Sequence, residues 1–263
     1  MNKNWIRGIL AAAALGALAI SAGCGGKAES SASAKSKITV AVEASYAPFE
    51  YKDEHNHVVG FDIDLMKAIA EEMKAEPEFH DMTFDDIFPA VGEKKMDLGI
   101  SAIGVTEKRS QYVAFSDPYY SLGAHVILTR QGSGIHGDGD LQGKVLAVEK
   151  GSTNEDQAKK VSPAKLISTD TYEAVFLAVE KGEAEAAIVD EPGAAYYLEH
   201  NRDSRLTMAG TLPTSEQFVI IMAKENKAMQ KKINDALQKV IQNGTYDKLS
   251  QKWFFNKAQA EKE

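Results

Sequence analysis

The sequence predicts an α/β protein built as two lobes, with the chain crossing from the first lobe to the second and back. Three observations support this. Strand-like and helix-like segments alternate from residue 38 to residue 254, the pattern of α/β architecture. The 263 residues suffice for two lobes of roughly 100–120 residues each. A turn-rich stretch at 131–139 holds four glycines and falls where a new lobe would begin just past a crossing.

The elements follow in order. Residues 38–42 are β-branched and short, a strand. Residues 62–74 place Ile63, Met66, Ile69, Ala70 and Met73 three and four apart, an amphipathic helix. Residues 76–80 make a weaker strand. Residues 84–93 form a helix with Ile87, Phe88 and Val91 on one face, and 98–101 a buried strand. The second half repeats the logic: strand 144–149, helix 154–161, strand 165–169, helix 172–181, strand 184–189 and helix 191–199. A long β run at 218–223 precedes closing helices at 226–242 and 246–254. The Asn243-Gly244 pair suits a left-handed helix end. The crossings are placed at 123–128 outward and 214–219 back. Lobe one is therefore 38–126 plus 217–256, and lobe two is 127–216.

The N-terminus reads differently. Lys3 and Arg7 precede an Ala-rich apolar run at 9–20, too short to span a bilayer comfortably. Ser21-Ala22-Gly23-Cys24 follows. This is the shape of a secretory signal, residues 1–23, ending in a lipobox. That resemblance implies a lipidated Cys24 at the mature N-terminus, although Ser21 stands where leucine is usual. A plain signal peptide with an incidental cysteine, or an uncleaved anchor, stays open. Cys24 is the only cysteine, so no internal disulfide can form. Two acyl chains suffice for stable anchoring, at roughly 0.8 kcal/mol per buried CH₂. Residues 24–37, rich in Gly, Ser, Ala and Lys, read as a flexible tether, and 257–263 as a polar tail. The expected location is extracytoplasmic, held to the membrane through Cys24.

The formal charge is -8, with 44% hydrophobic and 26% charged residues, an ordinary globular composition. The acidic balance argues against a nucleic-acid partner, which needs clustered Lys and Arg.

Several segments together resemble a known family. They are Tyr46-Ala47-Pro48-Phe49-Glu50, Gly60-Phe61-Asp62-Ile63-Asp64-Leu65, Asp97-Leu98-Gly99-Ile100, Thr106-Glu107-Lys108-Arg109, Phe115-Ser116-Asp117-Pro118-Tyr119-Tyr120, Asn243-Gly244-Thr245-Tyr246-Asp247-Lys248 and Lys252-Trp253-Phe254. Their order and spacing resemble the polar amino-acid-binding proteins of ABC importers, bacterial solute-binding protein family 3. The resemblance implies a periplasmic-binding-protein type II fold, in which two α/β lobes joined by two crossing strands close on a ligand. It also implies a free amino acid as ligand and permease subunits of an ABC importer as partner. A monomer without cofactor is expected, and the lone cysteine and scattered histidines give no ligand spacing for a metal.

A zwitterion buried in a cleft needs a cation, an anion and hydrogen-bond donors. The resemblance places Arg109 on the ligand carboxylate, which a planar guanidinium matches bidentately. It adds donors at Gly104, where Ser or Thr is more usual, and at Thr153. Ser152 and Thr153 open a helix whose N-terminus favours an anion, though simple N-capping remains an alternative for both. Asp190 ends a strand and is assigned the ligand ammonium, with an N-cap role as its alternative. Tyr46 and Phe84 are assigned to flank the ligand side chain, with Phe84 alternatively ordinary core. Ser101 and Ala102 lie on the adjacent strand end and offer carbonyls.

Glu43 and Glu149 sit where the family tunes its side-chain pocket. Two acids there, without a matching lysine, favour arginine, lysine, ornithine or histidine over an acidic ligand. A neutral polar ligand such as glutamine stays open, since Glu43 could bond an amide and Glu149 could pair with Lys150 or face solvent. Two rival classes exist for such a sequence. A dehydratase-like enzyme needs an acid–base group, and His125 at the outgoing crossing, better placed to report on closure, is the one suggestive histidine. A sensor module on the same fold is disfavoured because no transmembrane or signalling segment follows the polar tail.

Overall fold

The computed structural model describes residues 35–161 and 165–255. The signal segment, Cys24, most of the tether and the polar tail lie outside the described residues. Two five-stranded sheets organise the folded part. The first runs Ala75–Asp81, Ser36–Val42, Leu98–Gly99, Ile221–Ala223, Val113–Phe115. The second runs Leu166–Thr169, Leu146–Glu149, Ala186–Asp190, Ala124–Arg130, Leu206–Pro213. In each sheet the first three strands are parallel. The fourth then runs antiparallel to both its neighbours. The parallel strands of each lobe therefore end together, and such ends are where open α/β sheets present side chains to ligands.

Phe61–Glu72 and Phe84–Gly92 pack on the first sheet, and Lys227–Gln242 packs against Phe61–Glu72 and shares its buried cluster. Phe61–Glu72 buries Ile63, Met66, Ile69 and Ala70 as its spacing predicts, and Phe61 and Leu65 besides, while Met73 caps the helix and is only partly buried. It starts at Gly60, where φ is 137° and a Cβ would fall 2.1 Å from the carbonyl oxygen of Phe49. Only glycine fits that close approach. The Asn226 side chain accepts from the Met229 N–H and starts Lys227–Gln242. Gly244 follows this helix in the left-handed conformation, φ 76°. Thr153–Val161, Tyr172–Lys181 and Glu191–His200 serve the second sheet, where Val175, Phe176, Ala178 and Val179 are buried.

Several elements differ from the sequence reading. Ala124–Arg130 pairs along its length with Ala186–Asp190 and Leu206–Pro213. It belongs to the second sheet, so residues 124–126 do too. The outgoing crossing comes earlier than 123–128, at Tyr120–Ser121, which pairs antiparallel with Gln217–Phe218 on the returning chain. The run at 218–223 is two strands, Gln217–Phe218 and Ile221–Ala223, because its middle leaves one sheet before joining the other. Leu206–Pro213 gave no strand signal. Its burial is partial and irregular, and a register shift falls between Met208 and Gly210. The last helix is Thr245–Ser250, followed by a π-helical turn at Gln251–Phe255. Among the described residues no helix is long and apolar enough to cross a membrane.

Candidate ligand-binding site

The strand ends of the two sheets converge on one small cavity of ≈ 20 Å³. Glu43, Tyr46, Phe84, Ser101, Ala102, Arg109, Glu149, Ser152, Thr153 and Asp190 line it, joined by Glu50, Asn154 and Tyr172. A space this size holds about one water, so an amino acid enters only as the lobes part. Contacts across the cleft show the lobes shut. The Arg109 Nη2 donates to the Gly151 carbonyl at 3.0 Å, the Tyr172 N–H to Ser45 Oγ at 2.9 Å, and Lys150 lies 3.0 Å from Asp85.

Arg109 sits in a one-turn helix, Glu107–Ser110, whose first turn Thr106 caps. Its Nη1 donates to the Gly104 carbonyl at 2.6 Å, and its guanidinium lies 5.2 Å from the Phe84 ring centre and 4.7 Å from that of Phe88. The flat cation is thereby held edge-on by carbonyls and face-on by aromatic rings. Burial lowers its pKa to about 10, despite the nearby carboxylates of Glu216, Asp156, Glu149 and Asp85. It stays charged at any ordinary pH. Phe84 packs with Ala41, Ile87 and Val91 and also lines the cavity.

Asp190 occupies the N-cap position of Glu191–His200 but makes no capping bond with its side chain. The carboxylate turns inward and accepts from Tyr46 Oη at 2.8 Å, Asn154 Nδ2 at 3.1 Å and His125 Nδ1 at 2.9 Å. Its own N–H donates to Tyr172 Oη, and the Tyr46 and Tyr172 rings stack with centres 4.0 Å apart. Ser152 does cap its helix: Oγ accepts from the Glu155 N–H at 3.0 Å while donating to the Glu149 carbonyl.

Ser101 Oγ accepts from the Glu43 N–H at 3.1 Å and donates to Glu50 Oε1 at 2.9 Å. Ala102 has φ 43°, the left-handed region that a residue with a Cβ rarely adopts. Asp62 holds it there by accepting its N–H at 2.9 Å, together with the Tyr119 hydroxyl at 2.6 Å.

The carboxylates dominate the electrostatics. Burial pushes the Glu43 pKa up to about 7, aided by Asp81. Burial, then the charges of Glu43 and Asp190, raise Glu149 well above the usual range. Burial and Asp62 do the same for Glu50. Glu50 Oε2, Glu149 Oε1 and Asn154 Oδ1 are buried without a hydrogen-bond partner. Buried polar atoms left without a partner are costly in a folded protein. Lys150 pairs with Asp85, and Glu149 faces the cavity instead of pairing with Lys150 or reaching solvent.

Gly104 is the one expected site residue that does not line the cavity. Its carbonyl supports Arg109, and the Glu216 carboxylate fills the space a side chain would take. Glu50, Asn154 and Tyr172 were missed. Glu50 ends the quoted run that begins at Tyr46, Asn154 follows Thr153 in the same helical turn, and Tyr172 opens its helix straight after a strand. Position at strand and helix ends was the available signal for all three.

Two sheet-and-helix lobes, two crossings and a charged cavity between strand ends define a type II periplasmic-binding fold, a class built to enclose a small solute. The family model of bacterial extracellular solute-binding proteins, family 3, matches residues 38–256. This chain belongs to that family. It is 33% identical over 96% of its length, and 98% of the other's, to the arginine-binding extracellular protein ArtP of Bacillus subtilis. Among solved structures, an ancestral arginine-binding protein bound to arginine superposes with a TM-score of 0.80 at 36% identity, covering 84% of this chain and 99% of that one. The same TM-score and identity are found for an ancestral arginine-binding protein bound to glutamine, over 84% and 98% of the two chains.

Proposed function

We propose that this protein captures a cationic amino acid, arginine foremost, and delivers it to an ABC importer, catalysing nothing itself. The observation that carries this reading is the charge count of the cavity. Glu43, Glu50, Glu149 and Asp190 line it, against Arg109 as the one basic side chain. The α-carboxylate and α-ammonium of any amino acid would pair with Arg109 and Asp190 and cancel. Glu43, Glu50 and Glu149 then remain buried, with burial opposing the charge of each; Glu50 is already bonded to Ser101, so Glu43 and Glu149 are the two free to meet a ligand side chain. A guanidinium or ammonium on the ligand side chain supplies what they lack, because a buried charge is tolerated when paired. The arginine bound or named in the relatives supports the same choice.

Isothermal titration with all twenty amino acids at pH 8 tests it. Arginine is expected to bind tightly and glutamate not at all. Tight binding of glutamate with arginine inert would end the proposal. A second reading has its own support: protonated, Glu43 and Glu149 become donors suited to a neutral amide, and a relative holds glutamine. Glutamine binding that strengthens as the pH falls below 7 would favour it.

We further propose lipidation at Cys24, retention outside the cytoplasmic membrane and a monomeric carrier. Cys24→Ser should release the protein from the membrane fraction, and mass spectrometry of the native protein should show a diacylglycerol adduct.

A further inference from the structure

His125 follows the outgoing crossing segment Tyr120–Ser121 and Glu216 comes just before the returning one, Gln217–Phe218, and neither has a binding role described above. His125 is the second residue of Ala124–Arg130 and is 5% exposed. Glu216 directly precedes Gln217–Phe218. The imidazole lies between two carboxylates: Nδ1 is 2.9 Å from Asp190 Oδ1, and Nε2 is 3.5 Å from Glu216 Oε2. Glu216 also accepts from Thr153 Oγ1, at 2.9 and 3.0 Å to its two oxygens. It reaches there because position 104 is glycine, whose Cβ would stand 1.7 Å from Glu216 Oε1. One connected chain thus joins the ammonium acceptor, the residues flanking both crossing segments and the first turn of Thr153–Val161.

We propose that His125 is a positioning residue for Asp190, holding a proton between Asp190 and Glu216 in the ligand-free protein and losing it when a ligand ammonium reaches Asp190. This rests on the reading of Asp190 as the ammonium acceptor.

The geometry favours an imidazolium. With Nδ1–H donated to Asp190, a neutral ring would turn the Nε2 lone pair toward the Glu216 carboxylate. A protonated ring presents an N–H to each side. Burial alone would lower the His125 pKa, but the hydrogen bond and charge of Asp190, with the charge of Glu216, more than offset it and hold it above 6.5. The other charged groups facing this cluster are Arg109, toward Glu216, and Glu149, toward Asp190. The phenol of Tyr46 and the amide of Asn154 complete the donors on Asp190. An arriving ammonium competes with the imidazolium for the same carboxylate and lowers the ring's pKa. Binding then releases a proton, and by reciprocity affinity rises as pH rises through the pKa of the free protein. Below that pKa each ligand must displace the proton, while above it there is none to displace. The proton serves as a brake on capture, applied at the hinge.

His125→Asn separates positioning from titration, since the amide can still donate to Asp190 where Nδ1 does but cannot take up a proton. The test has two arms. NMR titration of the imidazole Cε1–H signals in the ligand-free protein should show one histidine, absent from His125→Asn, titrating above 6.5 and shifting downward in Glu216→Gln. Calorimetry with L-arginine at pH 7, in phosphate and in Tris, should count fewer protons released by His125→Asn than by the native protein. Its affinity should also fall less steeply between pH 8 and pH 6, by up to roughly tenfold per pH unit. Glu43 titrates in the same range, so the difference between the two proteins, not the total, is the readout. A His125 signal titrating at or below 6.5, or equal proton counts in the two proteins, overturns the proposal. If arginine does not bind the native protein, it is the functional reading that fails, and the ligand-free titration still decides the proton site.

Discussion

Replacing Glu43 with glutamine should move stability and affinity in opposite directions. Glu43 is 4% exposed, and burial raises its pKa from 4.5 to about 7. A carboxyl whose folded-state pKa is raised binds its proton more tightly when folded. The folded state is therefore penalised as pH rises from about 4.5, and the penalty is complete above about 7. At 1.36 kcal/mol per unit this amounts to about 3 kcal/mol at pH 8. Glutamine keeps the shape and an acceptor for Ser45 but has no charge to desolvate. Without ligand, Glu43→Gln should therefore be more stable than the native protein by up to about 3 kcal/mol at pH 8, with the difference vanishing near pH 4.5. Arginine affinity should fall, because removing one partner of a buried charge pair costs ~2–5 kcal/mol. At about 1.4 kcal/mol per decade, Kd rises by roughly thirty-fold to several thousand-fold. Urea unfolding at the two pH values gives the first quantity and calorimetry the second. Unchanged arginine affinity, or a ligand-free variant less stable at pH 8, would refute the reasoning that this carboxylate is kept at a cost in stability for the sake of a cationic ligand.

Three further substitutions probe the frame. Tyr46→Phe removes the hydroxyl 2.8 Å from Asp190 while keeping the ring stacked on Tyr172, and should lower stability by about 1–3 kcal/mol in thermal unfolding. Gly60→Ala forces a Cβ to within 2.1 Å of the Phe49 carbonyl at a φ of 137°, and should cost more than the ~1–3 kcal/mol of backbone strain alone, read by urea unfolding. Asn226→Ala removes the acceptor for the Met229 N–H and should cost ~1 kcal/mol with arginine binding unchanged.

Periodicity made the long elements legible. The helix stripes at Ile63, Met66 and Ile69, and at Val175, Phe176 and Val179, are buried as read. The pieces that escaped are short or irregular. Glu50–Lys52 and Val58–Val59 pair over two or three residues, too few for alternation to show. Glu43, Glu149 and Asp190 were legible as acids at strand ends, and it is the family resemblance that assigned them to a pocket. Glu216 was not legible. Its place in the cluster depends on the gap over Gly104 and on His125 from the other crossing, three segments distant in sequence that only the fold brings together.

A crystal structure grown with L-arginine tests the central claim most directly. The α-carboxylate is expected on Arg109, the α-ammonium on Asp190 and the side-chain guanidinium against Glu43 and Glu149. A guanidinium turned away from both glutamates, or an ammonium that leaves Asp190 untouched, would contradict it.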